Sequence, residues 1–338
     1  MKKIKKLIII NTILLFVALA FVVYAIFSFQ NFVNQPNTNI KKKIYMVILP
    51  NQSVLSISED LQKEGIIKRY DWFYYYVRLS GKSQDIKAGV HLFYTNYSPK
   101  QTLSELIGEN KNDVIFSIPP GFDIQRIAHR LNKMGFDGSE FYKLANSKSN
   151  TYELLHFKAS NMEGFLGAGN YFVEKNEKAS VLLKLMFDQF KNDYADLANF
   201  DRIDKNLYDK VIVASLVEKE AKVNSERPLI ASVIYNRLKK NMLLQIDSSV
   251  IYGIKDFNGK LTIHDLENKK NIYNTYVYKG LPPTPICSPS YESLKAAFDP
   301  AKTDYLYFVS KNDGRHVFST SLKQQNYWVD IYQKGKKQ

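Results

Sequence analysis

Hydrophobic and polar positions along this chain fall into blocks of different period. Leu7 to Phe29 carries no charged residue, and at helical rise this run is long enough to cross a bilayer. It predicts an N-terminal transmembrane helix. Asn31–Lys43, rich in Asn, Gln and Lys, reads as a short polar linker. Beyond it one pattern occurs twice, offset by 70 residues: Pro50, Ser53, Val54, Ile57, Leu61 and Gly65 align with Pro120, Asp123, Ile124, Ile127, Leu131 and Gly135. Each copy has a strand-like run (Tyr45–Leu49; Val114–Ile118), a proline turn, an N-cap Ser or Asp, an amphipathic helix and a glycine stop. Aromatic runs follow, Trp72–Tyr76 and Phe141-Tyr142, and predict a second helix in each unit. Two copies are too few for a solenoid, so the pattern reads as a small α+β module in duplicate. Its aromatics read as core, with sugar stacking as the alternative.

Around Asn161 the pattern changes. Met162–Leu166 and Gly167–Asn170 precede a strand-like Tyr171–Val173, and Val181–Phe190 repeats at helical spacing. Val211 to Val217 is apolar apart from Ser215, which reads as a helix buried almost all round. Ser225 is placed to cap the next helix, whose apolar face runs Ile230, Val233, Ile234 and Leu238. The end returns to strand at Tyr305–Val309, with a hairpin at Asn312-Asp313-Gly314 leading into His316–Phe318. The fold class expected is α+β. It divides into a tail and transmembrane anchor (1–30), a linker (31–43), the duplicated module (44–155) and a mixed α/β domain (156–338).

Charge fixes the expected topology. Lys2, Lys3, Lys5 and Lys6 precede the apolar run, which places the N-terminus in the cytoplasm and the remainder outside a cytoplasmic membrane crossed once. A cleaved signal peptide is the competing reading, with Ala18-Leu19-Ala20 as the cleavage site, but apolar residues continue to Phe29 and favour an uncleaved anchor. At 338 residues and a formal charge of +14, the chain has room for two domains and admits nucleic acid, acidic lipid or an anionic cell-wall polymer as neighbour. No zinc-finger spacing or RNA-recognition signature accompanies the charge, so no nucleic-acid partner is expected. Cys287 is the only cysteine, which excludes an intramolecular disulfide and a cysteine metal cluster. The five histidines show no HExxH pairing and no G-x-S-x-G elbow is present, so neither a metal site, a cofactor nor a serine hydrolase is expected.

One carboxylate stands out. Val211, Ala214, Ser215, Glu218 and Ala221 share one helical face, so Glu218 falls on an inward stripe. A carboxylate there is costly to ionise, and a raised pKa is what a general acid needs. The other reading ends the buried run at Val217 and makes Glu218, Lys219 and Glu220 its solvated terminus. Both stay open on these residues alone.

A set of dispersed motifs resembles a known family in order along the chain. It comprises Val217-Glu218-Lys219-Glu220, Asn236-Arg237-Leu238, Leu244-Gln245 with Asp247, and Val250–Gly253. Downstream it takes in Tyr273–Tyr276, Gly280–Pro283, Tyr305–Val309, and Gly314 with His316 and Phe318. In these the chain is similar to the YceG/MltG-like endolytic murein transglycosylases of bacteria, from the anchor to about Gln325. Ser248 stands where the family usually has proline, Thr284 replaces a glycine between prolines, and Ala168 replaces another proline. These departures bear on loop shape rather than on the position of Glu218.

The resemblance implies a LysM-like character for the duplicated module and a catalytic role for 156–338. Glycan cleavage requires protonation of the bridging oxygen as the sugar gains oxocarbenium character. A lytic transglycosylase needs no second carboxylate, because the C6 hydroxyl of the muramic acid attacks C1. The resemblance therefore implies that Glu218 first gives a proton and then accepts one, closing a 1,6-anhydro ring in cell-wall biogenesis. Gln245, Asp247, Asn236, Asn274 and Tyr276 are candidates to bind the glycan, with capping and turn-making the equal alternative. Glu163 is a candidate second carboxylate, although Glu163-Gly164 also suits a turn; Glu220 is expected to be solvated or ion-paired. The expected partner is the peptidoglycan glycan strand, with cell-wall synthesis proteins as further candidates. Two alternatives stay open: a muramidase-type hydrolase using Glu218 with Asp247 or Glu163, and a non-catalytic glycan-binding scaffold.

Overall fold

The computed structural model describes residues 2–109 and 113–335, so Met1, 110–112 and 336–338 of the expected domains lie outside the described residues. The fold is mixed α+β with an N-terminal apolar helix. Two compact units divide it: Met1–Ile115 with Tyr171–Glu174, and Phe116–Asn170 with Lys175–Gln338.

The first unit opens with α1 (Lys2–Asn34), whose span from Ile9 is apolar and long enough to cross a membrane. The helix runs past Asn31 into the segment expected to be linker. Its last turn is held by packing: Val33 is buried, and the Phe32 ring meets the Trp72 ring edge-on at 5.4 Å. There follow β1 (Lys43–Ile48), α2 (Val54–Lys63), α3 (Tyr70–Leu79), β2 (Gly89–Tyr94) and α4 (Pro99–Leu106). The Ser53 hydroxyl caps α2 by accepting from Ser56 N at 3.1 Å, and Ser98 with Gln101 forms a capping box on α4. β1 and β2 pair antiparallel, Lys43 opposite Tyr94 through Ile48 opposite Gly89. Ile57 and Leu61 of α2, Phe73 and Val77 of α3, and Leu103 and Leu106 of α4 close on this pair as one core.

The same order of elements returns as β3 (Asp113–Ile118), α5 (Ile124–Lys133), α6 (Gly138–Ala145), β4 (Gly169–Glu174) and α8 (Ala179–Asp193), with α7 (Lys148–Leu155) added before β4. Asp123 caps α5, its Oδ1 accepting from Arg126 N at 2.7 Å. The strands run β1-β2-β4-β3, with β2 parallel to β4. Gly138 permits the close crossing of α5 and α6: a Cβ there would lie 2.0 Å from the Ala128 carbonyl oxygen and 2.8 Å from Asn132 Cγ.

The second unit is centred on α9 (Lys205–Glu220), capped by Asp204 and fully buried from Val211 to Val217. A 3-10 turn (Asn224–Glu226) leads into α10 (Arg227–Lys239), α11 (Asp247–Tyr252), α12 (Ile263–Glu267) and α13 (Tyr291–Phe298). The hairpin β5 (Tyr307–Ser310) and β6 (His316–Ser319) and the final helix α14 (Leu322–Tyr332) complete it. Ser225 does not cap α10. It lies inside the 3-10 turn, where Asn224 Oδ1 instead accepts from Arg227 Nε at 3.1 Å, and the N-cap position falls on Glu226.

Gly138→Ala should destabilise the chain by about 1–3 kcal/mol, because the added methyl meets backbone that cannot rotate away. Denaturant unfolding of the two proteins checks this; equal midpoints would contradict the close crossing.

Candidate active site

The last turn of α9 presents Glu218 inward, its side chain 9 % exposed. The lining is not apolar, as the stripe alone suggested. Four donors converge on one oxygen, Oε2: Arg227 Nη1 at 2.9 Å, Ser290 N at 3.0 Å, Ser290 Oγ at 2.5 Å and Ser293 Oγ at 2.7 Å. Among the described residues none donates to Oε1. Arg227 is itself 10 % exposed and also donates to Ser293 Oγ. Glu218 is thus one half of a buried ion pair seated on the N-terminus of α13, where free N–H groups and the helix dipole favour negative charge.

Local sequence explains how the two serines reach it. Ser215, three residues before Glu218 on the same stripe, accepts from Ile286 N through its hydroxyl at 3.0 Å, and its carbonyl faces Cys287 Sγ at 3.4 Å. This lays 286–287 along α9. Tyr194 then donates its hydroxyl to the Pro289 carbonyl at 2.7 Å, and α13 starts at the next residue but one, with Ser290 as its N-cap. On the other side, Gly121 brings backbone close: a Cβ there would stand 3.9 Å from Glu218 Cγ. Gly121 N donates to Ser288 O at 2.8 Å, and Lys219 Nζ donates to the Gly121 carbonyl at 3.3 Å.

Glu163 lies behind that same loop, 1 % exposed. Its Oε2 accepts from Ile124 N at 3.1 Å and from the Tyr252 hydroxyl at 2.9 Å, while Oε1 is buried without a hydrogen-bond partner. Burial, outweighing those two donors, pushes its carboxyl from the usual 4.5 up to about 8. The turn suggested by Glu163-Gly164 is also present. Gly164 has φ +84°, and a Cβ there would lie 2.4 Å from Pro285 Cβ. Glu163 is therefore a carboxyl group that burial raises behind this loop.

The other sequence candidates divide into two groups. Asp247 is exposed at the start of α11 and accepts from the Tyr276 hydroxyl at 2.5 Å; exposed Gln245, with φ +53°, accepts from Arg237 Nη1 at 3.2 Å. Beside them Ser248 Oγ donates to Glu220 Oε1 at 2.7 Å, and burial raises the Glu220 carboxyl above its ordinary value, so Glu220 is not the solvated end expected. Asn236 and Asn274 turn their amides to backbone carbonyls. The Asn236 amide donates to the carbonyls of Thr303 and Tyr305, and the fully buried Asn274 donates to those of Asp265, Leu266 and Asn268. Sequence reasoning missed Arg227, Ser290 and Ser293. Ser290-x-x-Ser293 before an apolar run is an N-cap signal that locates α13, but nothing local ties it to Glu218.

A model of the YceG-like family matches residues 46–330. The endolytic murein transglycosylase of Bacillus subtilis is 29% identical over 304 residues, covering 85% of this chain and 84% of the relative. That of Streptococcus pneumoniae is 27% identical over 307 residues, covering 81% of this chain but only 55% of the longer relative. A crystal structure of a YceG-like protein from Listeria monocytogenes, 27% identical, superposes with a TM-score of 0.55 over 84% of this chain and 98% of that one.

Glu163→Gln should change the pH dependence of stability. With a folded value of about 8 against 4.5, the stability that protonated Glu163 allows is full below about pH 4.5 and is lost as pH rises through about 8. The amide does not titrate, so the variant should gain on the wild type across that window by roughly a few kcal/mol. Urea unfolding at a series of pH values tests this; parallel stability curves would contradict the buried titration.

Proposed function

The chain belongs to the YceG-like family, and from that premise we propose that it is a membrane-anchored lytic transglycosylase that cuts peptidoglycan glycan strands internally, between MurNAc and GlcNAc. The observation that carries this reading is the asymmetric carboxylate of Glu218, with Oε2 held by Arg227, Ser290 and Ser293 and no donor on Oε1 among the described residues. Relatives named endolytic murein transglycosylases, aligned over most of this chain, support the reaction class.

In this mechanism the acid form of Glu218 carries its proton on Oε1 and gives it to the bridging oxygen of the glycosidic bond; the ion pair with Arg227 is the carboxylate form that results. The negative charge left on the carboxylate is shared with Arg227 and the donors on Oε2, which are in place before the reaction and need not reorganise. The same carboxylate then accepts the proton of the muramic acid C6 hydroxyl as that oxygen attacks C1. The bond to the leaving sugar breaks, a 1,6-anhydro ring forms, and no water is consumed. A hydrolase would need a second carboxylate at the cleaved bond. The partnered oxygen of Glu163 is engaged inside the protein, and Asp247 is turned to Tyr276. These placements favour the transglycosylase over the hydrolase. Asp247, Gln245 and Tyr276 are proposed to bind the glycan; Glu163 acts from behind the loop.

The remaining assignments are proposals of the same kind. The β-α-α-β order of the first copy, with β1 antiparallel to β2, and its return in the second copy with α7 inserted support a duplicated LysM-like module, although the second copy's closing strand β4 (Gly169–Glu174) lies beyond the expected boundary at 155. Residues 156–338 form the catalytic domain, and α1 is the single-pass anchor, with its lysine-rich end inside and the rest of the chain extracytoplasmic.

Glu218→Gln keeps the shape but leaves the buried Arg227 guanidinium without its countercharge, so it should lose up to about 3–5 kcal/mol of stability. In protein checked as folded by circular dichroism, the cleavage rate should fall roughly 10²–10⁴-fold, the usual worth of general acid–base catalysis. Digestion of purified peptidoglycan in water enriched with heavy oxygen gives the second arm. The wild type should leave unlabelled 1,6-anhydro ends, whereas labelled reducing ends as the main product would promote Asp247 or Glu163 to a hydrolytic role.

A further inference from the structure

The aromatic helix α3 has two apolar faces, and only one has a use inside the protein. Phe73 and Val77 are fully buried in the core of the first unit. Trp72, Tyr75 and Leu79 lie at i, i+3 and i+7 on another stripe, where Tyr75 is 58% and Leu79 is 78% exposed. A solvated helix carries polar residues on its outer face. Here that face is aromatic and aliphatic: the Arg69 guanidinium, paired with the Asp71 carboxylate, lies 4.4 Å over the Trp72 ring, and the guanidinium of Arg78 lies 6.0 Å over Tyr74.

What covers this face is indicated by α1. About 20 helical residues span the hydrocarbon of a bilayer, so the uncharged run that starts at Leu7 reaches the far edge close to Ile26–Phe27. The next turn of the same helix packs on α3. Phe29 and Phe32 meet the Trp72 ring at 5.7 and 5.4 Å, and burial along α1 begins only there, since Phe27 is still 71% exposed. Trp72 therefore stands where the membrane helix leaves the bilayer, the zone that Trp and Tyr favour because one end of the ring is apolar and the other polar.

We infer that the outer face of α3 is a membrane-contact surface: Trp72, Tyr75 and Leu79 lie in the headgroup layer of the bilayer that α1 crosses, with Arg78 at the phosphates. The partner is the lipid surface, and the first unit is docked on it rather than tethered above it. This rests on the reading of α1 as an anchor, and it gives a use to aromatic residues that the core does not absorb.

The test uses the full-length protein in phospholipid vesicles. The chain has two tryptophans, Trp72 and Trp328. A reporter at Leu79→Trp, with Trp72→Phe and Trp328→Phe, stands two helical turns, about 10 Å, along α3 from the contact with α1. Flotation with the vesicles first establishes anchoring. The Leu79→Trp emission should then fall most with phospholipids brominated near the glycerol end of the acyl chain, less with bromine near the methyl end, and not at all on adding soluble glycan strands. Failure to float would overturn the anchor and this surface together. A floating protein whose reporter is unaffected by bromine would overturn this surface alone, and a response to glycan instead would make the stripe a sugar platform.

Discussion

The arrangement of the second unit depends on the buried carboxylate of Glu218 against Arg227 and the N-terminus of α13. Taking one partner away from a buried, hydrogen-bonded pair costs about 3–5 kcal/mol, because the other charge is left uncompensated. The site is built so that neither partner is left alone. Arg227 is braced by Asn224 and Ser293, and Ser290 gives both its backbone N–H and its hydroxyl to the same carboxylate oxygen. One oxygen is fixed from several directions, while the other has no donor among the described residues. That asymmetry lets a structural ion pair also be a chemical site.

Several segments distant in sequence converge to hold it. Ser215 anchors 286–287 on α9, Gly121 supplies a wall without a side chain, and Lys219 ties that wall to the helix. Glu163 pins the loop from behind through Ile124 and reaches α11 through Tyr252. α11 in turn offers Asp247 outward and Ser248 to Glu220. The cost of this bracing is borne by Glu163, a carboxyl buried deeply enough to hold its proton up to about pH 8.

Elements with a clear period were legible in the sequence, as were capped helix starts. α2 and α5 follow from Ser53 and Asp123 and the glycine stops after them, and α9 from its apolar run. β2 and α4 were not read. β2 is buried at all six positions, so it lacks the alternation that marks a half-exposed strand, and His91 interrupts its apolar run. At the site, helical spacing alone turned Glu218 inward, but its partners Ser290 and Ser293 lie more than 70 residues away, where no local pattern reaches. Asn236 and Asn274 show the converse. An amide that binds a ligand and an amide that braces a loop look alike in sequence, and only burial and carbonyl partners separate them.

The most direct measurement is a crystal structure of the Glu218→Gln protein with a peptidoglycan glycan oligomer bound. The account predicts that the side-chain atom facing away from Arg227 lies within hydrogen-bonding distance of a bridging oxygen. It also predicts the muramic acid C6 hydroxyl on the same side. A glycan whose bridging oxygen lies instead against Asp247, with the substituted amide still locked to Arg227 and out of reach, would contradict it.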